Sequence, residues 1–524
     1  MTNLNNIGRR GVLKGAALGA ATIASGSLLS RTAMGQQRGG VLRAALLGFG
    51  VVNTLDPQKA ALNSDFWVLT TMFNSLVKFD SNMKIVPDLA ESWTSPDANT
   101  LVFKLRHGVK FHDGSEMTSE DVKFSLDRVR DENTKSPSRS KFLAVESVDA
   151  IDKYTVRVRT KEPFVPMLAF LSNMPNGSQI VSKKAVTSMG EEAFSRKPVG
   201  TGAFKLVDWK PGEKLIFAAH KEYFEKGLPY LDGVEIPLIP EEPSGITAIL
   251  GGQIDLASTA PFADVPKLEK TPGITVAKSP GLNWRATYLN INKAPFDDVN
   301  FRRAVSMAFD RQAIVDAVLF GEGRPMWGCI PSAISWAYQS TPRPLCTFNP
   351  ERAKAEFAKS KIKPGTEVNI ITWGAGWWKR WTEIFCAQVN QTLGVKFTPE
   401  VLDPNVAFQR WTKMEIEAEN AGWIGRIEAD EYIGDCFHSK GARNFPKYNN
   451  PAVDKLIEDS RKEFDQAKRG ELIKKAEDLI VEDCPVIFTL NNNAHNMWTS
   501  KVKGFQHLPS QSFGSQFPPV NLGG

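Results

Sequence analysis

Residues 76–129 constrain this chain more than any other stretch. They place a strand, a tight turn and a capped helix in a fixed order. Leu101 to Leu105 is a short β-rich run, and Asp113-Gly114 is a turn signal. Thr118 and Asp121 have capping-box spacing ahead of the apolar positions Val122, Phe124 and Leu126. Such a block belongs to a packed α/β domain. By itself it carries no chemistry.

The order of parts around it is more specific. Val86-Pro87-Asp88-Leu89-Ala90 leads to Glu91-Ser92-Trp93, then the strand, then Gly108-Val109-Lys110-Phe111-His112-Asp113-Gly114. This order resembles the signature of family 5 of the extracellular solute-binding proteins, the periplasmic peptide, nickel and opine receptors of ABC importers. Residues 160–186, 198–217, 227–240, 288–331 and 448–490 resemble further blocks of the same family, in family order. One departure is Ala219-His220-Lys221-Glu222-Tyr223, where members often carry Arg-Asn-Pro-x-Tyr. The resemblance implies an α/β fold of two lobes joined by hinge strands, with an extra subdomain in the first lobe. It places lobe I at residues 36–288 with the subdomain at 80–204, lobe II at 289–488, and a return to lobe I over 489–524. The hinge crossings are expected near residues 284–292 and 486–493. The implied function is a non-enzymatic receptor without a cofactor. It would trap a peptide or other small polar solute and deliver it, as a monomer, to an inner-membrane ABC permease.

Composition agrees with this. A length of 524 residues suits two or three sizeable cores, and 42% hydrophobic with 23% charged residues describes a soluble globular protein. Gly8-Arg9-Arg10-Gly11-Val12-Leu13-Lys14 resembles a twin-arginine export motif. Residues 16–29 are too short and too weakly apolar to be a good membrane span. Ala33-Met34-Gly35 offers small residues for cleavage, so residues 1–35 are expected to be a signal peptide for the periplasm. Arg9, Arg10, Lys14 and Arg31 carry the leader's charge, and without them 60 basic residues face 58 acidic ones, a net of +2. That balance removes the simplest argument for nucleic-acid binding. The five cysteines lack zinc spacing. Cys329 with Cys346 would close a loop rich in Pro, Ser and Trp; the alternative is buried free thiols.

Helical apolar spacing runs through residues 301–319, 453–457 and 472–480, and marks core faces. The Ser-, Gln-, Gly- and Pro-rich tail over 509–524 is expected to be a poorly packed end. No catalytic constellation stands out: there is no Gly-x-Ser-x-Gly elbow, Walker loop or His-Glu-x-x-His. No metal site is expected either.

The best site candidate is residues 368–401, which read as strand, loop, helix and strand. Ligands of open α/β sheets bind beyond the carboxyl ends of strands. The loop there carries Trp373, Trp377 and Trp378 between glycines, an aromatic wall in prospect. The second candidate is Gly422-Trp423-Ile424-Gly425-Arg426. In peptide-binding relatives the matching stretch often reads Trp-x-Gly-Asp, and the Asp receives the peptide's ammonium group. Here Arg426 stands in its place and suits a carboxylate or phosphate. Where dipeptide-binding relatives hold the ligand carboxylate with a basic residue, this chain has Trp373. The resemblance therefore argues against a free dipeptide. Phe49 and Asn53 complete the candidate ligand-binding set with Trp423. The ligand stays open among a peptide, an opine or sugar-derived acid, and a metal chelate. Other classes are an exported chaperone or sensor on the same fold, and an exported hydrolase with a hidden nucleophile–base pair.

Overall fold

The helix expected after Thr118 forms as Ser119–Arg130. Thr118 donates its backbone N–H to Asp121 Oδ2 at 2.9 Å, which satisfies one of the helix's open donors. The computed structural model of the chain describes residues 38–173, 177–374, 376–424, 428–509 and 513–523. The expected leader and Arg426 lie outside the described residues.

Ser119–Arg130 packs on a four-stranded sheet of Ala90–Asp97, Thr100–Leu105, Thr155–Thr160 and Val145–Asp152. Phe103, Leu105, Val122, Leu126, Val156 and Val158 close a separate core there. This is the extra subdomain. The first lobe is built on Val41–Leu47, which pairs in parallel with Gly233–Ile239 and Leu256–Ala257. Lys214–Ala219 and Phe204–Lys210 extend the sheet antiparallel. The second lobe pairs Glu367–Trp373 in parallel with Lys396–Leu402 and Ala418–Ile424. Its core includes Trp284, Phe301, Trp381, Phe385 and Tyr432. The helical run over 301–319 is two helices, Val299–Met307 and Arg311–Leu319. The break falls where Asp310 accepts from the N–H groups of Gln312 and Ala313 and starts the second helix.

One strand, Val486–Thr499, belongs to both lobes. Val486 to Leu490 pair with Asn283–Leu289, and Asn493 to Thr499 pair with Ile274–Pro280. The partner changes at Gly281 and Leu282 on one chain segment and at Asn491 and Asn492 on the other. Amides lock this crossing: Asn283 Nδ2 donates to Asn492 O at 2.9 Å, and Asn491 Nδ2 to Asn283 O at 2.7 Å. A Cβ on Gly281 would sit 2.1 Å from Asn283 Nδ2, so only glycine fits there.

One open alternative is decided, and one expectation is overturned. All five cysteines are buried free thiols, so Cys329 and Cys346 do not form a disulfide. Cys346 Sγ instead faces Trp327 O at 3.7 Å. The tail is not a loose end, because Phe513, Phe517 and Val520 are buried in the first-lobe core. Two aromatic rings in a polar segment outweigh its loop-like composition.

A candidate solute site between the lobes

A cavity of about 500 Å³ lies where the first lobe, the subdomain and the second lobe meet. Each part contributes a segment positioned by local chemistry. From the first lobe, Ala60, Ala61, Leu62, Asn63 and Phe66 line it, at the start of helix Asn63–Met72. Asp65 shapes this entry, accepting N–H groups from Asn53 at 2.7 Å, Leu62 at 3.2 Å and Ala61 at 3.4 Å. Burial pushes the Asp65 carboxyl up, and the backbone donors pull it back down. From the subdomain come Pro137, Ser138 and Lys141. Lys141 pairs with Glu431 of the second-lobe helix Asp430–Phe437.

The second lobe supplies the aromatic side. Trp373 ends strand Glu367–Trp373 and lines the cavity. Its indole N–H donates to Glu419, so Trp373 offers the site its ring and not its donor. Helix Pro404–Thr412 starts at Asp403, which accepts from Asn405 N at 2.9 Å. Pro404, Phe408 and Trp411 recur at helical spacing and face the cavity with Asn405. Trp373 meets Phe408 edge-on at 6.3 Å and lies 6.3 Å from Trp411. Gly422 and Trp423 close the wall at the end of strand Ala418–Ile424. Arg443 completes it, its guanidinium carbon 4.0 Å from the centroid of the Trp423 ring.

The charge pattern is one-sided. Among the described residues lining the cavity are two cations, Lys141 and Arg443, and no Asp or Glu. Asn63, Asn405 and Ser138 add neutral polar groups. Glu419 lies fully buried behind Trp373. Burial pushes its carboxyl up to about 8, against the pull of the Trp373 N–H and of Arg410, so it is neutral at pH 7. Among the described residues, no group of His, Cys, Asp and Glu is placed to hold a metal ion.

The structure brings Trp373 and Trp423 together on the cavity. Trp377 begins helix Trp377–Leu393 and is half-buried away from it. It meets Phe262 of the first lobe edge-on at 5.9 Å, a contact between lobes. Phe49 packs edge-on against Trp67 at 5.1 Å, and the exposed Asn53 serves through its backbone N–H to Asp65. Neither is among the cavity-lining residues. Residues 60–66, the face of helix Pro404–Thr412, and Arg443 were not legible as a site. The Asp403-Pro404 start followed by Phe408 and Trp411 was the available signal, and core packing gives the same pattern.

Residues 84–444 match the family model described as bacterial extracellular solute-binding proteins, family 5 Middle. The chain belongs to that family. It is 27% identical over 477 residues to the glutathione-binding protein GsiB of Pectobacterium atrosepticum, covering 88% of this chain and 90% of that protein. Among solved structures it is similar to DppA from Helicobacter pylori in complex with the peptide STSA, with TM-score 0.82 and 26% identity over 93% of this chain and 98% of that one. It is equally similar to AgaA from A. tumefaciens R10 in complex with agropinic acid, with TM-score 0.82 and 25% identity over 93% of this chain and 99% of that one. This family-5 chain is thus the periplasmic substrate-binding component of an ABC importer. It captures a peptide or other small solute and serves an inner-membrane permease. Members of the family bind their solutes without turning them over.

Proposed function

We propose that the solute captured here is anionic and rich in hydrogen-bond acceptors, with a flat or apolar body, and that it is not a free dipeptide. The one observation that carries this is the cavity's charge: Arg443 lines it, no Asp or Glu does among the described residues, and the other lining cation, Lys141, is paired with Glu431 behind the wall. A free peptide brings an ammonium group that would meet like charge and no acceptor carboxylate, which is costly in a desolvated cleft. A carboxylate would instead find the Arg443 fork, and the adjoining rings of Trp423, Trp373, Trp411 and Phe408 would cover the remainder of the solute. Arg426, three residues beyond Trp423, adds a cation in sequence at the position where peptide-binding relatives often carry Asp. Among the relatives, AgaA with agropinic acid fits this chemistry more closely than DppA with a peptide. In this reading the lobes divide where the strands change partner, at residues 281–282 and 491–492 and not at the expected 288 and 488, and close on the solute, which biases the balance toward the closed form.

The test is mass spectrometry of solute released from protein purified from the periplasm, followed by calorimetry with that solute. An anionic compound is expected. Arg443→Gln is expected to weaken its binding by roughly 10- to 100-fold, the worth of about 1.5–3 kcal/mol for a charge-assisted hydrogen bond. Release of an ordinary zwitterionic dipeptide, or full affinity in Arg443→Gln, refutes the proposal.

A further inference from the structure

Six arginines of the described chain are buried, and five of them have both ends of the fork engaged. Arg128 donates from both Nη groups to Asp56, and Arg469 from both to Glu428. Arg343 reaches Trp327 O and Glu477. Arg302 reaches Phe296 O and Asp483 O, and Arg311 reaches Ser306. Arg285 differs. It is 8% exposed, and its one hydrogen bond among the described residues runs from Nε to Asn492 Oδ1 at 3.2 Å. Among those residues neither Nη group has a partner, and no carboxylate lies within ion-pair distance. Buried charges are otherwise paired, because desolvation of a lone ion is expensive.

The position of this guanidinium is informative. Arg285 and Gly422 are direct partners on adjacent antiparallel strands. The side chain folds over the α-carbon of Gly422, where a Cβ would meet Nη1 at 2.1 Å. Gly422 itself lines the interlobe cavity. Trp378 and Trp377 also flank the guanidinium, their ring centroids 5.0 Å and 5.7 Å from Cζ. Asn492, its Nε partner, stands where the two lobes cross. Burial pushes the Arg285 guanidinium down to about 10, which leaves it charged at neutral pH.

We propose that Arg285 is a second anion anchor of the interlobe site, taking an oxyanion of the captured solute on its two open Nη groups. This rests on the anionic-solute reading and extends it. Successive strand residues face opposite sides, so Arg443 over Trp423 and Arg285 over Gly422 approach the strand end from opposite faces of the sheet. Arg285 is not itself among the cavity-lining residues, and Gly422, over which it folds, is the lining residue that connects it to the site. The solute class is then one with two separated acidic or oxyanion groups, such as a dicarboxylate.

The probe is inorganic sulfate, added to ligand-stripped protein at constant ionic strength and read as a shift in Tm. Sulfate is expected to raise the wild-type Tm, and Arg285→Gln is expected to lose most of that shift. The unliganded Arg285→Gln is expected to melt no lower than wild type, since it removes an unpaired buried charge. A strut holding the fold would melt lower. Gly422→Ala keeps the charge and occupies its place, so it too is expected to lose the shift, and it serves if Arg285→Gln does not fold. Arg443→Gln separates the two readings. Loss of the shift in Arg285→Gln, with or without loss in Arg443→Gln, supports the second anchor. Loss in Arg443→Gln alone overturns it and leaves the anionic cavity standing. A full shift in all three variants overturns both.

Discussion

At the scale of single residues, Glu419 shows how a wall is tuned from behind. Its carboxyl is fully buried and held up to about 8, from an ordinary 4.5, and it accepts the indole N–H of Trp373. Between those two values the unfolded chain has released this proton and the folded chain still holds it. The folded state then binds more protons, so its stability falls as pH rises through that window. Glu419→Gln keeps an acceptor for Trp373 and removes the titration. It is expected to melt several degrees above wild type at pH 8, with the gap shrinking to almost nothing near pH 4.5. Calorimetric melting across that range decides it, and a gap that stays constant or widens on acidification would show that Glu419 is not the group responsible. Sequence could not supply this, since a Glu in a strand reads as surface until its burial is known.

At the scale of elements, the tail carries more than its composition suggests. Phe513 and Phe517 are buried at 3% and 0% exposure, and Phe513 meets Phe517 edge-on at 5.1 Å and Phe505 at 6.2 Å. Phe517→Ala is therefore expected to cost about 3–5 kcal/mol, the usual penalty for emptying an aromatic core position. Denaturant unfolding followed by circular dichroism measures this. A loss below about 1 kcal/mol, the range of ordinary surface substitutions, would return the tail to the status of an end segment. The strand over 368–372, a buried apolar run, and the helix over 379–393 were legible, and so was the capped helix after Thr118. The start of the 377–393 helix was not, because Trp377 and Trp378 read as loop beside two glycines.

At the scale of the whole molecule, lobe contacts set how the site closes. Val165 N donates to Arg461 O at 2.8 Å, Lys462 reaches Glu162 at 2.5 Å, and Lys141 pairs with Glu431, all between subdomain and second lobe. On the other side Trp377 meets Phe262 across the lobes. An aromatic pair of this kind is worth about 0.5–1.5 kcal/mol. Trp377→Ala is expected to weaken solute binding by roughly 2- to 10-fold through an easier opening, with little change in unliganded Tm. Small-angle scattering with and without the co-purified solute should show a wider unliganded form. Unchanged affinity with a core-sized loss of stability would place Trp377 in the lobe core instead.

The order of blocks, through the family resemblance it carries, was enough to identify the two-lobed α/β receptor fold and its family; local chemistry placed only single elements. Capping pairs, turn residues and apolar periodicity act over a few residues, and a sequence displays them directly. Trp373 was singled out as a strand-end position and Trp423 through the family resemblance, and both line the cavity. The places of Phe408, Trp411, Arg443 and Arg285 became visible only in three dimensions. Periodicity says that a face is buried, not whether it meets a core or a cavity. Asn53, expected at the site, does not line the cavity and meets Asp65 only through a backbone N–H that any residue would provide. What distinguishes Arg285 from the other buried arginines is that neither of its Nη groups has a partner among the described residues, whereas even Arg302 and Arg311, which also lack an ion pair there, have both engaged. Only the packing of distant segments makes that visible.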